Sequence, residues 1–337
     1  MTATRSASAV PDIAVLYEHP EWQKPLFAAL ERRGVPFTAI DLKRAAFEPG
    51  APLSGGPLRG RVVFNQASPS AYVRGNMRAV PFALAYLKAL EHEGITVVNG
   101  ARAFALELSK TAQAAMIRRL GLRTPRSLSF NDVDALASLL AKTSWSWPCL
   151  LKPEQGGSGA RIEKVSSIDE VRKLLDDCPA LWMPDGVFLL QEFVESDVER
   201  GIVRLEFLGG ELLYAMRVVS HGRYNLCPSE LCNPVEGQEG VCEVPPAVAS
   251  TLSGGPLRPV EFYAYPEVPR EAVDAGRRIA AAAGIDIGGI EYLDSTKGER
   301  VFYDVNANSN LRPPIAREFG FDPFERVVDY LVTRAKA

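Results

Sequence analysis

A lysine followed by a glycine-rich turn is the first feature of this sequence that could perform chemistry. Residues 149–165 read "CLLKPEQGGSGARIEKV", so Lys152 comes at the end of an apolar, strand-like run, and alternating residues resume after the glycines. Glycine-rich turns expose backbone N–H groups and let a ligand approach closely, and phosphate is the usual ligand. A Walker loop places its lysine after the glycines, and both it and a dinucleotide fingerprint open a helix, whereas "ARIEKV" is strand-like. Two interpretations remain: a hairpin loop lying over a nucleotide, or an ordinary hairpin turn.

Oxygen-bearing side chains form the second chemically informative pattern, in "GGIEYLDSTKGERVFYDVNANSNLR" at 288–312. Glu291 lies on one predicted strand, while Asp304 and Asn306 lie two apart on the next and therefore share a face. Hard oxygen donors on a rigid sheet suit Mg²⁺, which fills its other positions with water and phosphate oxygens. A solvated sheet face is the alternative, but Asp304 and Asn306 are poor strand formers within an otherwise apolar strand. Residues that break a local rule are candidates for function, so we predict a Mg²⁺ site here.

Composition limits the classes of protein to which the chain can belong. It has 337 residues, 47% of them hydrophobic and 23% charged, with a formal net charge of −3. That length predicts two or three modules, and the near-neutral charge argues against a nucleic-acid or membrane surface. No apolar run approaches the roughly 20 residues of a membrane span, and residues 1–11 read as a disordered tail without a signal peptide. We therefore expect a cytoplasmic protein whose five cysteines are free thiols.

The elements that must position these residues follow from periodicity. Over about 12–100, strands alternate with helices, which predicts a parallel sheet covered by helices. Hairpins and helices follow, including two strands joined at Gly209-Gly210 and a hairpin turning at Lys297-Gly298. The predicted fold class is α/β, with a Rossmann-like N-terminal parallel sheet followed by two α+β subdomains.

An ordered series of motifs over residues 95–315 resembles the ATP-grasp superfamily. The resemblance is greatest to RimK-like glutamate ligases, lysine-biosynthesis ligases and glutathione synthetases. The motifs are, in chain order, "SKTAQAAMIRRLGLRTPRS", "LLKPEQGGSGA", "LLQEFVES", "VRLEFLGGELLYAMRVV…GRYNL" and "GIEYL…FYDVNANSNL". Each is weak alone, but five in the family's order are a strong signal. The implied division is a disordered tail (1–11), a pre-ATP-grasp domain (12–105), a lid and central subdomain (106–192) and a C-terminal subdomain with the Mg²⁺ site (193–337).

The resemblance implies a role for each matching residue. ATP would bind through two phosphate-contacting lysines, the glycine loop acting as a lid, and the hinge; these residues are Lys110, Lys152, Gly156, Gly157, Ser158, Gly159, Gln191, Glu192 and Val194. Mg²⁺, which Mn²⁺ could replace, would bind to Glu291, Asp304 and Asn306. Catalytic, phosphate-side residues would be Arg217, Arg223 and Asn225. Substrate-binding residues would be Arg204, Asn308, Asn310 and Arg312, joined by Arg74, which is either a carboxylate clamp or an exposed loop arginine.

The chain departs from the family pattern near the substrate. Ile202 stands where RimK-like members often carry an acid two residues before the arginine, so we assign the ribose to Glu199. Asn310 replaces a glycine that often approaches the acyl acceptor, and residues 227–268 match no family segment.

The implied activity is that of an ADP-forming ligase, which joins a carboxylate to an amine through an acyl phosphate. An ATP-grasp kinase and a non-catalytic ATP-binding regulator are the alternatives. The expected partners are small carboxylate and amine substrates, such as amino acids or peptides, with no nucleic acid and no membrane. The sequence also allows a homodimer.

Overall fold

Three β-sheets organise the chain in a computed structural model, which describes residues 12–50, 61–157, 159, 161–222, 260–309 and 311–336. Several residues singled out from the sequence lie outside these ranges: Ser158, Arg223, Asn225, Asn310, Cys227, Cys232 and Cys242.

The first sheet is parallel, as predicted. Its strand order is β2-β1-β3-β4. Ile13 to Leu16 are wholly buried, which is why this strand reads as a continuous apolar run rather than an alternating one. The elements of this part are β1 (Asp12–Tyr17), α1 (Pro20–Arg32), β2 (Phe37–Asp41), β3 (Arg61–Gln66), a 3₁₀ helix (Pro69–Arg74), α2 (Ala79–His92) and β4 (Thr96–Val98).

The second sheet has the order β5-β8-β6-β7, and its paired strands are antiparallel. Two helices, α5 and α6, pack on it through Leu136, Val171 and Leu175. The elements here are α3 (Ala101–Glu107), α4 (Lys110–Arg119), β5 (Ser127–Phe130), α5 (Val133–Leu140), β6 (Cys149–Pro153), β7 (Glu163–Val165), α6 (Ile168–Asp177), a 3₁₀ helix (Pro179–Trp182) and β8 (Phe188–Glu192).

The third sheet, in the order β11-β10-β9-β12-β13, carries both predicted hairpins. Gly209 and Gly210 have φ of 59° and 86°, so the tight turn between β9 and β10 depends on glycine at both positions. The elements are β9 (Ile202–Leu208), β10 (Glu211–Val219), β11 (Glu261–Ala264), α7 (Arg270–Ala283), β12 (Ile287–Asp294) and β13 (Arg300–Asn306).

The chain closes with two helices, α8 (Pro313–Glu318) and α9 (Pro323–Lys336). Helix α9 returns to the beginning of the chain, where Val327 and Leu331 share a core with Ile13 and Leu30. The last helix therefore packs on the first sheet rather than only on the third. The predicted domain bounds at 105 and 192 stay predictions.

Two further sequence-based expectations concern thiols and membranes. Cys149 and Cys178 are both buried, and neither forms a disulfide bond. No helix within the described ranges is both long and apolar enough to cross a membrane.

Candidate active site

A cavity of about 630 Å³ is lined by residues from the segments of the chain that carry each of the three sheets. Trp22 and Ser70 come from the first part, Lys152 from the second sheet, and Arg204 and Asp304 from the third. Ligand sites are typically concave and of this size.

Lys110 and Lys152 reach the cavity from different elements. Lys110 is the first residue of α4, whose N-terminus is capped by the Ser109 side chain accepting from the Ala112 N–H. Its Nζ donates to Asp304 Oδ1. Lys152 projects from β6, and its Nζ donates to Gln191 Oε1 at 3.3 Å. Lys110 and Lys152 thus line the same cavity.

Lys152 is a buried cation, with only 4% of the residue exposed. Burial, and then the charge of Lys110, lowers its pKa to about 8. No carboxylate in the described residues forms an ion pair with it, and its hydrogen-bond partner is a neutral amide. The charges of Asp304 and Glu291 offset this lowering only in part, and burying a charge without a direct ionic partner is costly. The arrangement therefore favours binding of an anion.

The glycine loop after β6 touches the first part of the chain. Gly156 and Gly157 line the cavity, and Gln155 Nε2 donates to the Pro69 carbonyl at 3.1 Å. A Cβ added at Gly157 would lie 2.8 Å from Ser70 Cβ, so glycine is needed for this approach. Gly159 has φ of +73°, a conformation that glycine adopts without strain. The described glycines of the loop, Gly156, Gly157 and Gly159, thus line the cavity.

The acidic hairpin lies beside the lysines, since Lys110 donates to its Asp304. Glu291 on β12 pairs in register with Asp304 on β13. Both line the cavity together with Asn306, whose Nδ2 donates to Asp304 Oδ2 at 3.2 Å. The remaining Glu291 contacts are Arg204 Nη1 to Oε1 at 2.8 Å and the Tyr303 hydroxyl to Oε2 at 3.1 Å. The three predicted oxygen donors therefore converge on one face.

The two acids have opposite pKa shifts. Burial, then the charge of Asp304, raises the pKa of Glu291 above its usual value. Burial also opposes ionisation of Asp304, but the charges of Lys110 and Lys152 outweigh it and hold its pKa below the usual value. Lysines and acids thus form one interacting charge cluster.

The donor chemistry fits a hard cation that keeps outer ligands. In the part of the chain that the structure describes, no three His, Cys, Asp or Glu side chains cluster as a metal site. The candidate set consists of two carboxylates and the Asn306 amide. Mg²⁺ commonly uses one or two carboxylates and completes its octahedron with water and phosphate oxygens. The hairpin therefore fits Mg²⁺ bound together with a phosphate ligand.

The hinge residues border the other end of the cavity. Gln191 on β8 uses its side chain twice, accepting from Lys152 and donating from Nε2 to Ser127 Oγ at 3.2 Å. Glu192 accepts from Arg123 Nη2 at 2.7 Å and from the Arg126 N–H at 2.9 Å. Val194 also lines the cavity. The side chains of Gln191 and Glu192 are thus committed to protein partners.

Glu199 does not line the cavity, contrary to its assignment to the ribose. Its side chain is 67% exposed, and its carboxylate lies 3.6 Å from His221 Nδ1. The turn that carries Glu199 closes between Asp197 and Gly201, which directs Glu199 outward. Glu195 and Asp197 line the cavity instead.

Arg204 lies at the centre of the third sheet's cavity face. Its Nε donates to Glu206 Oε1 at 2.6 Å, Nη1 to Glu291, and Nη2 to Ser309 Oγ at 3.2 Å. It lies directly over Gly289, where an added Cβ would be 2.5 Å from Nη2. Glycine in a strand often marks such a close approach.

Arg217 is on the opposite face of the sheet, which corrects its assignment to the phosphates. Its register partner on β9 is Val203, whereas Arg204 pairs with Met216. Successive strand residues point to opposite faces, so Met216 and Val218 line the cavity and Arg217 does not. Its guanidinium instead stacks on Tyr265, 4.3 Å from the ring centroid.

Arg74 is a buried structural arginine rather than a free carboxylate clamp or an exposed loop residue. It ends the 3₁₀ helix and forms an ion pair with Glu18, with side-chain exposures of 9% and 1%. Nη1 donates to Ser70 Oγ at 3.0 Å. Arg74 thereby positions Ser70, which does line the cavity.

The loop after β13 also reaches the cavity. Asn308 and Arg312 both line it. Asn308 Nδ2 donates to the Gln66 carbonyl at 3.0 Å, and its N–H donates to Glu107 Oε1 at 3.0 Å. Arg312 stacks on Phe262.

Some cavity residues escaped the sequence analysis. Trp22 on α1, Ser68 and Ser70 at the first 3₁₀ helix, and Glu107, the last residue of α3, line the cavity but were not among the predicted site residues. Burial raises the Glu107 pKa to about 8. The Gly288-Gly289 pair inside a strand is a sequence signal of close packing, but it marks the approach of Arg204 rather than any of these four residues.

Comparisons with known proteins address the fold. Scanned against models of known protein families, the chain matches none. It is 27% identical over 180 residues to a formate-dependent phosphoribosylglycinamide formyltransferase of Bacteroides thetaiotaomicron, covering 51% of this chain and 45% of that protein. It is 26% identical over 147 residues to a coenzyme gamma-F420-2:alpha-L-glutamate ligase of Methanococcus maripaludis, covering 43% and 50%. The chain thus matches about half the length of these curated relatives.

Solved structures match over nearly the whole chain. The ATP-grasp ligase PsnB in complex with a minimal precursor superposes with a TM-score of 0.61 at 19% identity, covering 95% of this chain and 98% of that one. The RimK domain ATP-grasp protein of Sphaerobacter thermophilus gives 0.62 at 16%, covering 95% and 98%. The chain therefore has the ATP-grasp fold, and the resemblance seen in its sequence is confirmed at the level of the fold.

Proposed function

We propose that this protein is an ADP-forming ATP-grasp ligase that joins a carboxylate to an amine. One observation carries the proposal. The buried Lys152, which forms no ion pair with a carboxylate among the described residues, lines the same cavity as Glu291, Asp304 and the glycines that follow β6. That arrangement suits a polyphosphate bound together with Mg²⁺. The fold, and relatives with ligase in their names, support the same reading.

ATP and Mg²⁺ are the proposed cofactors, and the structure of PsnB with Mg and ADP supports them. Lys110 and Lys152 would bind phosphate oxygens, and Gly156 and Gly157 would let the loop approach. Glu291, Asp304 and Asn306 would hold Mg²⁺. When bound, Mg·ATP supplies the phosphoryl group that activates the substrate carboxylate for attack by the amine.

The protein's own contribution is positioning and charge. Lys110 forms an ion pair with Asp304, and both side chains would be positioned to bind a phosphate oxygen and Mg²⁺ respectively. Arg204 holds Glu291 in place through Nη1. The loop contact with Ser70 narrows the entrance and limits water, which would hydrolyse an acyl phosphate.

Finer assignments remain proposals. Asp197 or Glu195 replaces Glu199 as our candidate for the ribose, because both line the cavity. The substrates would be small carboxylates and amines, including amino acids and peptides. The cytoplasmic location, the homodimer and the three-part domain division stay as predicted from sequence.

Pairwise screening of amino acids and short peptides for ATP-dependent phosphate release tests the proposal. We expect ADP, phosphate and an amide in equal amounts from one or more pairs. A phosphorylated product without free phosphate would contradict ligation, and the absence of substrate-dependent ADP formation in a complete screen would contradict catalysis. Asp304→Asn is the matched inactive control.

A further inference from the structure

Arg312 and Arg204 both line the cavity, but among the described residues only Arg204 has an acidic hydrogen-bond partner. Arg204 donates from all three of its nitrogens to Glu206, Glu291 and Ser309. Within the described ranges, no carboxylate forms an ion pair with Arg312, and its guanidinium makes no side-chain hydrogen bond. Its donors are therefore available to a ligand in the cavity that it lines.

The guanidinium of Arg312 is nevertheless held in place. Its Cζ lies 3.3 Å from the ring centroid of Phe262. Its backbone N–H donates to the Tyr214 hydroxyl at 2.8 Å, and Pro313 follows as the first residue of α8. Stacking on an aromatic face leaves the edge of the guanidinium plane, with its paired N–H groups, open to a bidentate acceptor.

The electrostatic surroundings favour an anion at this position. Burial, followed by the charge of Arg204, lowers the pKa of Arg312 to about 10. A bound anion would offset both effects, because it supplies the counter-charge that the cavity lacks at this end. The charge of Glu206 offsets these effects only in part, and both Glu206 and Glu291 form ion pairs with Arg204 rather than with Arg312.

The floor beside Arg312 is apolar. Ile202, Val218 and Phe262 are register partners across β9, β10 and β11, and all three line the cavity. Met216 lies on the same face, two residues before Val218. A ligand held by Arg312 would thus place a carbon skeleton over apolar side chains.

We propose that Arg312 binds a carboxylate group of a substrate that carries an adjoining apolar group, with Phe262 fixing the guanidinium. This inference rests on the proposed ligase function, because it takes the bound carboxylate to belong to a substrate of that reaction. The carboxylate has two sources: the group that is activated, or a second carboxylate on the amine acceptor that stays unreacted. Both require the same charged, bidentate contact.

The probe is benzoate, with the neutral benzamide as its matched partner. Binding is measured by NMR titration with the parent protein and with Arg312→Gln, Arg312→Lys and Arg326→Gln. Arg326 is the control because it is exposed and also lies over a ring, 5.8 Å from the centroid of Phe321. Mg·ATP affinity, measured by calorimetry, reports in parallel on folding and on the proposed function.

We expect benzoate to bind the parent and Arg326→Gln equally, and Arg312→Gln at least about tenfold more weakly, as loss of a charged hydrogen bond implies. Arg312→Lys should recover only part of the affinity, because lysine lacks the planar fork. Benzamide should show no dependence on Arg312. Equal benzoate affinity in the parent and Arg312→Gln, or no binding by the parent, overturns the inference.

A trapping reaction separates the two sources of the carboxylate. With Mg·ATP and hydroxylamine, an activated benzoate forms benzohydroxamate, while ATP is converted to ADP and phosphate. Hydroxamate that falls in Arg312→Gln assigns the contact to the reacting carboxylate; Arg312-dependent binding without hydroxamate assigns it to the acceptor. If Mg·ATP does not bind to the parent protein, the proposed function is contradicted. Benzoate binding that depends on Arg312 would still support this subsite.

Discussion

The Arg204 guanidinium packs directly against Gly289 on the neighbouring strand. A Cβ at position 289 would lie only 2.5 Å from Arg204 Nη2. The Arg204 contact to Glu291 depends on this gap. Arg204 therefore orients Glu291, a candidate metal ligand, from a position that a side chain at residue 289 would block.

Gly289→Ala should displace Arg204 and weaken Mg·ATP binding, because Glu291 loses its partner. Overpacking should also lower the free energy of unfolding by about 1–3 kcal/mol. Calorimetric titration of Mg·ATP and chemical denaturation measure the two effects.

Gly276→Ala is the control for overpacking alone. Its Cβ would lie 2.8 Å from the Phe207 ring, away from the cavity. It should cost stability but leave Mg·ATP affinity unchanged. Equal ATP affinity in Gly289→Ala and the parent would show that Arg204 does not orient the acid.

Lys152 should take up a proton when ATP binds at alkaline pH. Its pKa is about 8 in the folded protein against 10.5 for the ordinary side chain. A phosphate contact favours the charged form, so uptake is expected between about pH 8 and 10.5. Calorimetry in buffers of different ionisation enthalpy measures it, and Lys152→Met should abolish it.

The lowered pKa of Lys152 also affects the stability of the ligand-free protein. The unfolded chain binds the Lys152 proton more tightly than the folded protein does. The buried charge therefore lowers the free energy of unfolding by its full amount below pH 8, and by progressively less as the pH rises towards 10.5. Lys152→Met should therefore be more stable than the parent at pH 7, and Lys173→Met, at an exposed position, should not. A parent-like pH profile for Lys152→Met would contradict the assigned pKa.

Asp304→Asn should abolish turnover, by about a hundredfold or more, because it removes one of two candidate metal carboxylates and the partner of Lys110. Phosphate release measured against Mg²⁺ concentration checks it. Asp294→Asn is the control, since Asp294 pairs with Arg300 outside the cavity. Parent-like rates in Asp304→Asn at low Mg²⁺ would remove the hairpin from the metal site.

Arg217→Met should leave Mg·ATP affinity nearly unchanged and cost about 0.5–1 kcal/mol of stability through the lost Tyr265 stack. Arg204→Met, on the opposite face, should lose affinity. The pair of variants tests the strand alternation, and a large loss of ATP affinity in Arg217→Met would restore Arg217 to the site.

The sequence predicted the site where local rules apply. Period-two alternation placed Asp304 and Asn306 on one face, and the glycine loop and its lysine were recognisable without tertiary information. Arg217 and Glu199 were misplaced because a motif gives position along the chain but not the face or turn direction. Arg74 was misread because its partner, Glu18, is distant in sequence and close only after folding.

The contact between the loop and the first part of the chain predicts a rescue. Gly157→Ala would place a Cβ 2.8 Å from Ser70 Cβ, and Gly157 is not among the residues with positive φ, so the obstruction is steric. Neither Cβ can rotate away, so the loop must shift, and Mg·ATP affinity should fall about fivefold or more, for a loss of about 1 kcal/mol. Ser70→Gly removes the obstructing atom, and the double variant Ser70→Gly/Gly157→Ala should regain most of that loss. Ser70→Gly alone measures the loss of the Arg74 contact. A double variant no better than the sum of its parts would mean that the loop does not close on Ser70 when ATP is bound.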